Sequence, residues 1–414
     1  MIPTIRDVRT IATAPAGINL LAVKIETSEP GLYGLGCATF AYRAATVQHL
    51  IDTYIKPLLI GRPVDTITET WQLLHQNAYW RSGPIENNAI SGVDEALWDI
   101  KGKMADMPLY ELFGGKVRPA VPVFLDARGR DFEEMCAEFD RVREAGCGAV
   151  RCACDSSFYS GMAIPAGTPE GALPGNYIDQ RQIINGTLNM FEKLRVKYGE
   201  EVELMYDTHE RIHPTQAREF CHRADQYHLY FLEDVVSPEN LDWLPDIRSH
   251  CTTPLAHGEL DVNVHDWRRP IIGRSIDFIR PHISDIGGLT GARRVAMFAE
   301  QYDVRTCWHC PGDITPIGSA CNIHLDLATP NCGIQEWTGA FIADALRQGA
   351  GGGFDCVREV FSGIPEYRDG YVYVSDKPGH GVDIDEKAAA KYPYSYGETA
   401  WTQCRTLDGA LHTP

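Results

Sequence analysis

The chain has 414 residues, 44% of them hydrophobic and 23% charged, the balance of a globular protein too long for one ordinary core. Lys+Arg 38 against Asp+Glu 56 gives a net charge of −18, spread along the chain rather than gathered in a tail. That excludes the basic surface that nucleic acid or an anionic membrane requires, and it reads as solubility.

The opening MIPTIRDVRT has no apolar h-region, and no stretch approaches the ~20 apolar residues of a bilayer span. A cytoplasmic protein is expected. Ile18–Thr27 alternates apolar and polar, Ser28–Gly31 turns, and Leu32–Thr39 returns, which predicts two strands. Helical patterns follow at Ala45–Ile60, Thr66–Asn77 and Asn87–Met104, so residues 1–117 read as a small α+β unit.

From about residue 120 the rhythm changes. Apolar runs recur at Val121–Asp126, Ala149–Cys154, Val202–Asp207, Leu229–Glu233, Pro254–Glu259, Asp277–Arg280, Val304–His309 and Cys332–Glu336, with helical patterns such as Thr215–Tyr227 and Gly291–Tyr302 between them. Eight such repeats in about 220–250 residues predict an α/β, TIM-like (β/α)₈ barrel over residues 118–365. No G-x-G-x-x-G follows a strand, which argues against an open doubly wound sheet. Asp155–Tyr177, rich in Gly, Pro, Ser and Ala, is a long loop after the second strand and reads as a lid. The C-x-x-C of Cys307 and Cys310 lacks a second pair, and the thirteen cysteines are scattered, so buried small hydrophobes are expected rather than disulfides or a zinc site. Residues 366–414 leave the βα rhythm and are expected to complete the cap.

Three runs end in an acid: Asp207, Glu233 and Glu259, spaced 26 residues apart in both intervals. In a barrel this places three carboxylates around the C-terminal mouth, where such barrels keep their active sites. Their mutual repulsion calls for a cation, and all-oxygen ligation suits Mg²⁺. Only one of Glu233 and Asp234 can face inward on a strand. His209 lies two residues past Asp207, while Arg280, His309 and Glu336 end the sixth, seventh and eighth runs.

These residues carry a resemblance. The chain resembles the enolase superfamily, and within it the mannonate dehydratase subgroup, through AISGVDEALWDIKGKMADMPLYELFGG at 89–115 and through YDTHE, FLEDV, HGEL, IGGLTGARR, HCPGD and GIQEW in the expected order. The resemblance implies a cap over the barrel, Mg²⁺ on Asp207, Glu233 and Glu259, and His209 as the acid assisting departure of a hydroxyl. It implies Arg151 with a tyrosine on the next loop as the proton-abstracting pair, Tyr159 first and Tyr177 second, since Val150-Arg151-Cys152-Ala153-Cys154 offers no lysine base. Arg280, His309, Asp313 and Glu336 would line the pocket of a small acid sugar, and a homo-oligomer is implied.

Four positions depart from that pattern: Ala41 for an asparagine, Asp126 for a histidine, Pro311 for a small residue, and Trp337 where tyrosine is common. Asp126 and Trp337 would then touch the substrate, and activity on D-mannonate is expected to be weak. The leading expectation is an acid-sugar dehydratase. A racemase or epimerase, with His309 opposite the Arg151/Tyr159 pair, and a catalytically degenerate metal-binding regulator are the alternatives.

Overall fold

A computed structural model describes residues 2–154, 164–337, 355–395, 397 and 402–414. They form two units, one of Met1–Val123, Leu260–Trp267 and Arg280–Tyr396, the other of Phe124–Glu259, Arg268–Ile279 and Gly397–Pro414.

The first unit opens with an antiparallel sheet of Ile5–Thr13, Leu20–Thr27 and Tyr33–Cys37. Ile5–Thr13 was not among the expected strands. Ile5, Val8 and Ile11 are buried at intervals of three: a register shift separates Ile5 from Asp7, and beyond it Val8 and Ile11 face opposite sides of a regular ladder, both covered, which hides the two-residue period of a strand. The helix at Pro84–Ala105 starts with proline in its first turn and ends at Asp106, whose φ of 52° is left-handed. It packs so closely on Tyr33–Cys37 that a Cβ on Gly34 or Gly36 would meet the helix backbone at 2.0 and 2.1 Å. Its carboxylates then do backbone work. Glu95 accepts the Cys37 N–H (2.8 Å) and Asp99 that of Leu35 (3.1 Å), closing the outer edge of the strand. Asp94 accepts the N–H and hydroxyl of Thr290 in the first turn of helix Gly288–Glu300, where negative charge meets the helix dipole. The same unit carries strands Arg305–Thr306 and Gln335–Glu336, with parallel bridges His282↔His309 and Thr306↔Cys332.

The second unit holds a parallel ladder. Strand Val121–Gly129 enters it at Phe124 and pairs with Ala149–Cys154, followed in order by Glu203–Asp207, Phe231–Glu233, Leu255–His257 and Phe278–Ile279. Phe124, Phe231 and Phe278 pack in a row through it, the first pair edge to face and the second tilted, with centroids 5.9 and 5.3 Å apart. Helices Phe132–Glu144, Gln180–Tyr198 and Pro214–Ala224 return the chain, the first two capped by Asp131 and Asp179. All eight expected runs are therefore strands, each followed by a helix, the number and order of a (β/α)₈ barrel. Ten of the thirteen cysteines are buried and no disulfide forms among the described residues.

His282, His324 and His380 share one arrangement. Each is buried and accepts a backbone N–H at Nδ1, from Ser284 (3.2 Å), Tyr110 (3.4 Å) and Val382 (3.1 Å). A second proton would point at that N–H, and burial lowers all three rings, His282 to about 4 and His324 to about 3. Because these folded values lie below the unfolded one, the stability they contribute is complete above about pH 6.5 and is lost as pH falls through them. Between pH 7.5 and 5, wild-type stability in urea is expected to drop about 2 kcal/mol further than that of His324→Gln. Asp94 and Asp326, raised to about 7 by burial, titrate in the opposite sense but equally in both proteins.

Candidate metal and acid–base site

In the second unit, Asp207 is the last residue of its strand and lies opposite Glu233 in register. Thr208 donates to the Glu233 oxygen (2.9 Å) and Glu210 to that of Asp234 (2.8 Å), so the next strand sets the course of the turn. His209 and Glu210 have φ of 50° and 61°, consecutive left-handed residues without a glycine, and the His209 N–H donates to Asp207 Oδ1 at 2.7 Å. Backbone strain of this kind persists only where the surroundings enforce it.

Glu259 is reached differently from the other two acids. Glu233 pairs with Ala256, the fifth strand stops at His257, and Gly258 turns with φ 133°, so Glu259 stands two residues beyond the strand. The equal sequence spacing thus does not mean equal strand positions. The side chains converge all the same: ligand atoms of Asp207, His209 and Glu259 lie within 4.8 Å of one another, and a Glu233 oxygen lies as near to one of Glu259. His209 Nε2 is 3.9 Å from Glu259 Oε1. Oxygen-rich, anionic and partly open, the set can hold a hard divalent cation.

Arg151 is buried and divided between two acids. Nε and Nη2 grip Asp126 at 2.7 and 3.1 Å, Nη1 reaches Glu233 at 3.0 and 3.2 Å, and the guanidinium lies over the Phe124 ring. The charge of Asp126 is therefore matched by Arg151. Asp234, the residue beside Glu233, turns away at φ 38°; its Oδ1 accepts the Gly258 N–H (3.0 Å) and stands 2.9 Å from His257 Nδ1. Sequence reading had no role for that buried pair, because nothing in the spacing links positions 234 and 257. Tyr177 is buried with its hydroxyl donated to the Leu173 oxygen at 2.7 Å. Tyr159, the first choice for the base, lies outside the described residues.

A variant series tests the arginine. Arg151→Met keeps the bulk of the stem but removes the cation held against Glu233, which is wholly buried; a loss of about 3–5 kcal/mol in the unfolding free energy, read by urea titration, is expected. Arg151→Lys should lose less, and adding Glu233→Gln to Arg151→Met should restore part of the loss.

In the first unit, Arg280, His309 and Glu336 form a second constellation. Glu336 Oε2 accepts from Arg280 Nη2 (3.0 Å) and the Cys310 N–H (2.9 Å) and stands 3.1 Å from His309 Nδ1, which also lies 3.3 Å from Arg280 Nη2. The His282 ring packs on His309 with centroids 5.6 Å apart, and the charge of Asp313 acts on His282. Trp337 is buried. Cys307 Sγ lies 3.1 Å from Arg280 Nη1, and burial pushes the Cys310 thiol up, so Cys310 is not a reactive thiolate.

A (β/α)₈ barrel bearing acids after successive strands defines the class, and comparisons with known proteins agree. Residues 3–114 match the mandelate racemase/muconate lactonizing enzyme N-terminal domain, and residues 134–388 the enolase C-terminal domain-like family. The D-galactonate dehydratase family member RspA of Pantoea ananatis is 45% identical over 427 residues, 99% of either chain. A family member from Enterococcus gallinarum is 43% identical over 410 residues, 99% of this chain and 98% of that one. An enolase from Pantoea ananatis crystallised with D-gluconate and magnesium has a TM-score of 0.93 at 45% identity over the whole of both chains. The chain belongs to the enolase superfamily, among the D-galactonate dehydratase family members. It thus has the superfamily's capping domain and (β/α)₈ barrel. Its relatives carry the galactonate family name rather than the mannonate one suggested by its motifs. Among the described residues, no helix is long and apolar enough to cross a membrane.

Proposed function

We propose that the chain is a Mg²⁺-dependent acid-sugar dehydratase that removes water across C2–C3 of an aldonate to give a 2-keto-3-deoxy acid. The convergence of Asp207, His209 and Glu259 carries this reading. The donor set fits the metal, since three carboxylates share the mouth while Arg151 is divided between Glu233 and Asp126. Asp207, Glu233 and Glu259 would hold Mg²⁺, which when bound stabilises the charge that develops on the substrate carboxylate.

The chain's own residues do the rest. A base takes the α-proton; by family resemblance this is Tyr159 acting beside Arg151. The C3–O bond breaks as His209 Nε2–H protonates the departing hydroxyl, which leaves as water, and the enol tautomerises to the ketone. Arg280, His309, Asp313 and Glu336 are assigned to line the substrate pocket on the same resemblance, Asp126 and Trp337 to substrate binding as departures from its pattern, and His309 to acid–base work as the group a racemase would set opposite Arg151 and Tyr159. Asp126 serves first to orient Arg151, to which it is bidentate. The mannonate subgroup is the nearest by motif, yet Ala41, Pro311 and Trp337 point to weak use of D-mannonate. The division into a cap of residues 1–117, a barrel of 118–365 and a tail of 366–414, the homo-oligomer and the cytoplasmic location belong to this proposal too.

Hexonates and pentonates, D-gluconate and D-galactonate among them, incubated with Mg²⁺ and semicarbazide test it. At least one should yield a 2-keto acid, with D-mannonate slow. Inversion of a substrate without keto acid would favour the racemase, and no turnover on any acid the metal-binding regulator.

A further inference from the structure

The last residues of the chain form a built feature at the mouth. Cys404–Thr406 runs parallel to Asn176–Ile178, and the chain then reverses on itself. Gly409 donates to the Thr406 oxygen (2.9 Å), Thr406 to that of Ala410 (2.9 Å) and His412 to that of Cys404 (2.9 Å). Asp408 accepts the Thr406 hydroxyl and the Ala410 N–H inside the reversal, and Gly409 supplies its φ of 90°. A hairpin tied this way projects its final two residues in a set direction.

That direction is the strained turn after Asp207. The Thr413 hydroxyl lies 3.2 Å from the main-chain oxygen of Glu210, to which it can only donate. The main-chain oxygen of Pro414 lies 2.8 Å from His209 Nδ1. The tail therefore contacts both left-handed residues of the turn, one through its backbone and one through its ring. A main-chain oxygen has no proton to give, so Nδ1 must be protonated, and Nε2 is the nitrogen left toward Glu259.

We propose that Thr413 and Pro414 are positioning residues, which hold the His209 ring in its Nδ1–H form so that Nε2 delivers the proton. This rests on the reading of His209 as the acid. Once Nε2 has given its proton to the departing hydroxyl, the neutral ring already carries its remaining proton where the tail accepts it. No tautomer exchange has to precede the next cycle. The arrangement does for this imidazole what a buried carboxylate or backbone oxygen does for other catalytic histidines.

The test compares the wild type, a chain ending at His412, and Thr413→Gly/Pro414→Gly, which keeps the length but loosens the tail. Two-bond ¹H–¹⁵N spectra of histidine-labelled protein, with His209 assigned from His209→Asn, report which nitrogen carries the proton. The wild-type ring should be Nδ1–H; both variants should shift toward a mixture. Turnover of the best aldonate should fall 10- to 100-fold in kcat, with KM and Mg²⁺ affinity changed less than about twofold. An unchanged ring spectrum overturns the proposal, and so does a shifted ring with unaltered kcat. If the wild type turns over no aldonate, the dehydratase reading fails, and the nitrogen spectrum still decides whether the tail fixes the ring.

Discussion

Asp207→Asn and Glu259→Gln are each expected to lower kcat/KM by on the order of 10³-fold, since Lewis-acid stabilisation of this kind contributes several kcal/mol and each ~1.4 kcal/mol is tenfold. Both side chains belong to the group whose ligand atoms lie within 4.8 Å, and neither is fully buried, so the amides should fold. Stability in urea is expected to change little in the metal-free proteins, or to rise, because removing one of three neighbouring carboxylates relieves repulsion. Activity and stability should thus move apart. A variant that loses both together would speak for a structural role instead.

The second large effect concerns His209. In His209→Asn, product formation is expected to fall by about 10²–10⁴-fold, the range for removing a general acid. The base is untouched, so exchange of the substrate α-proton with D₂O should continue at a rate above that of 2-keto acid formation, as read by proton NMR. Mg²⁺ affinity should be nearly unaltered. This last point matters because His209 stands among the same ligand atoms as Asp207 and Glu259. A variant that lost magnesium would make the imidazole a ligand and not the acid.

Much of the barrel was legible because its strands are short apolar runs bounded by polar residues, and all eight runs prove to be strands. Asp207 and Glu233 could be placed at a strand end for the same reason. Glu259 could not, since the turn at Gly258 that carries it past the strand leaves no mark in a periodicity. Strand Ile5–Thr13 was lost because residues on both of its faces are buried, which disguises its period. The engagement of Asp126 with Arg151 was invisible because it joins neighbouring strands across 25 residues; read alone, Asp126 is a residue that touches the substrate. Least legible of all was the tail. Its contact with His209 is made by a backbone oxygen, which every residue type possesses, so the sequence holds no signal for it.

The account depends on one cation being shared by residues remote in sequence. Calorimetric titration of Mg²⁺ into the metal-free wild type and into Glu259→Gln tests this most directly. One site per chain in the wild type, and at least a hundredfold weaker uptake in the variant, is the predicted result. A wild type that takes up no magnesium, or a variant that binds it equally well, would contradict the account.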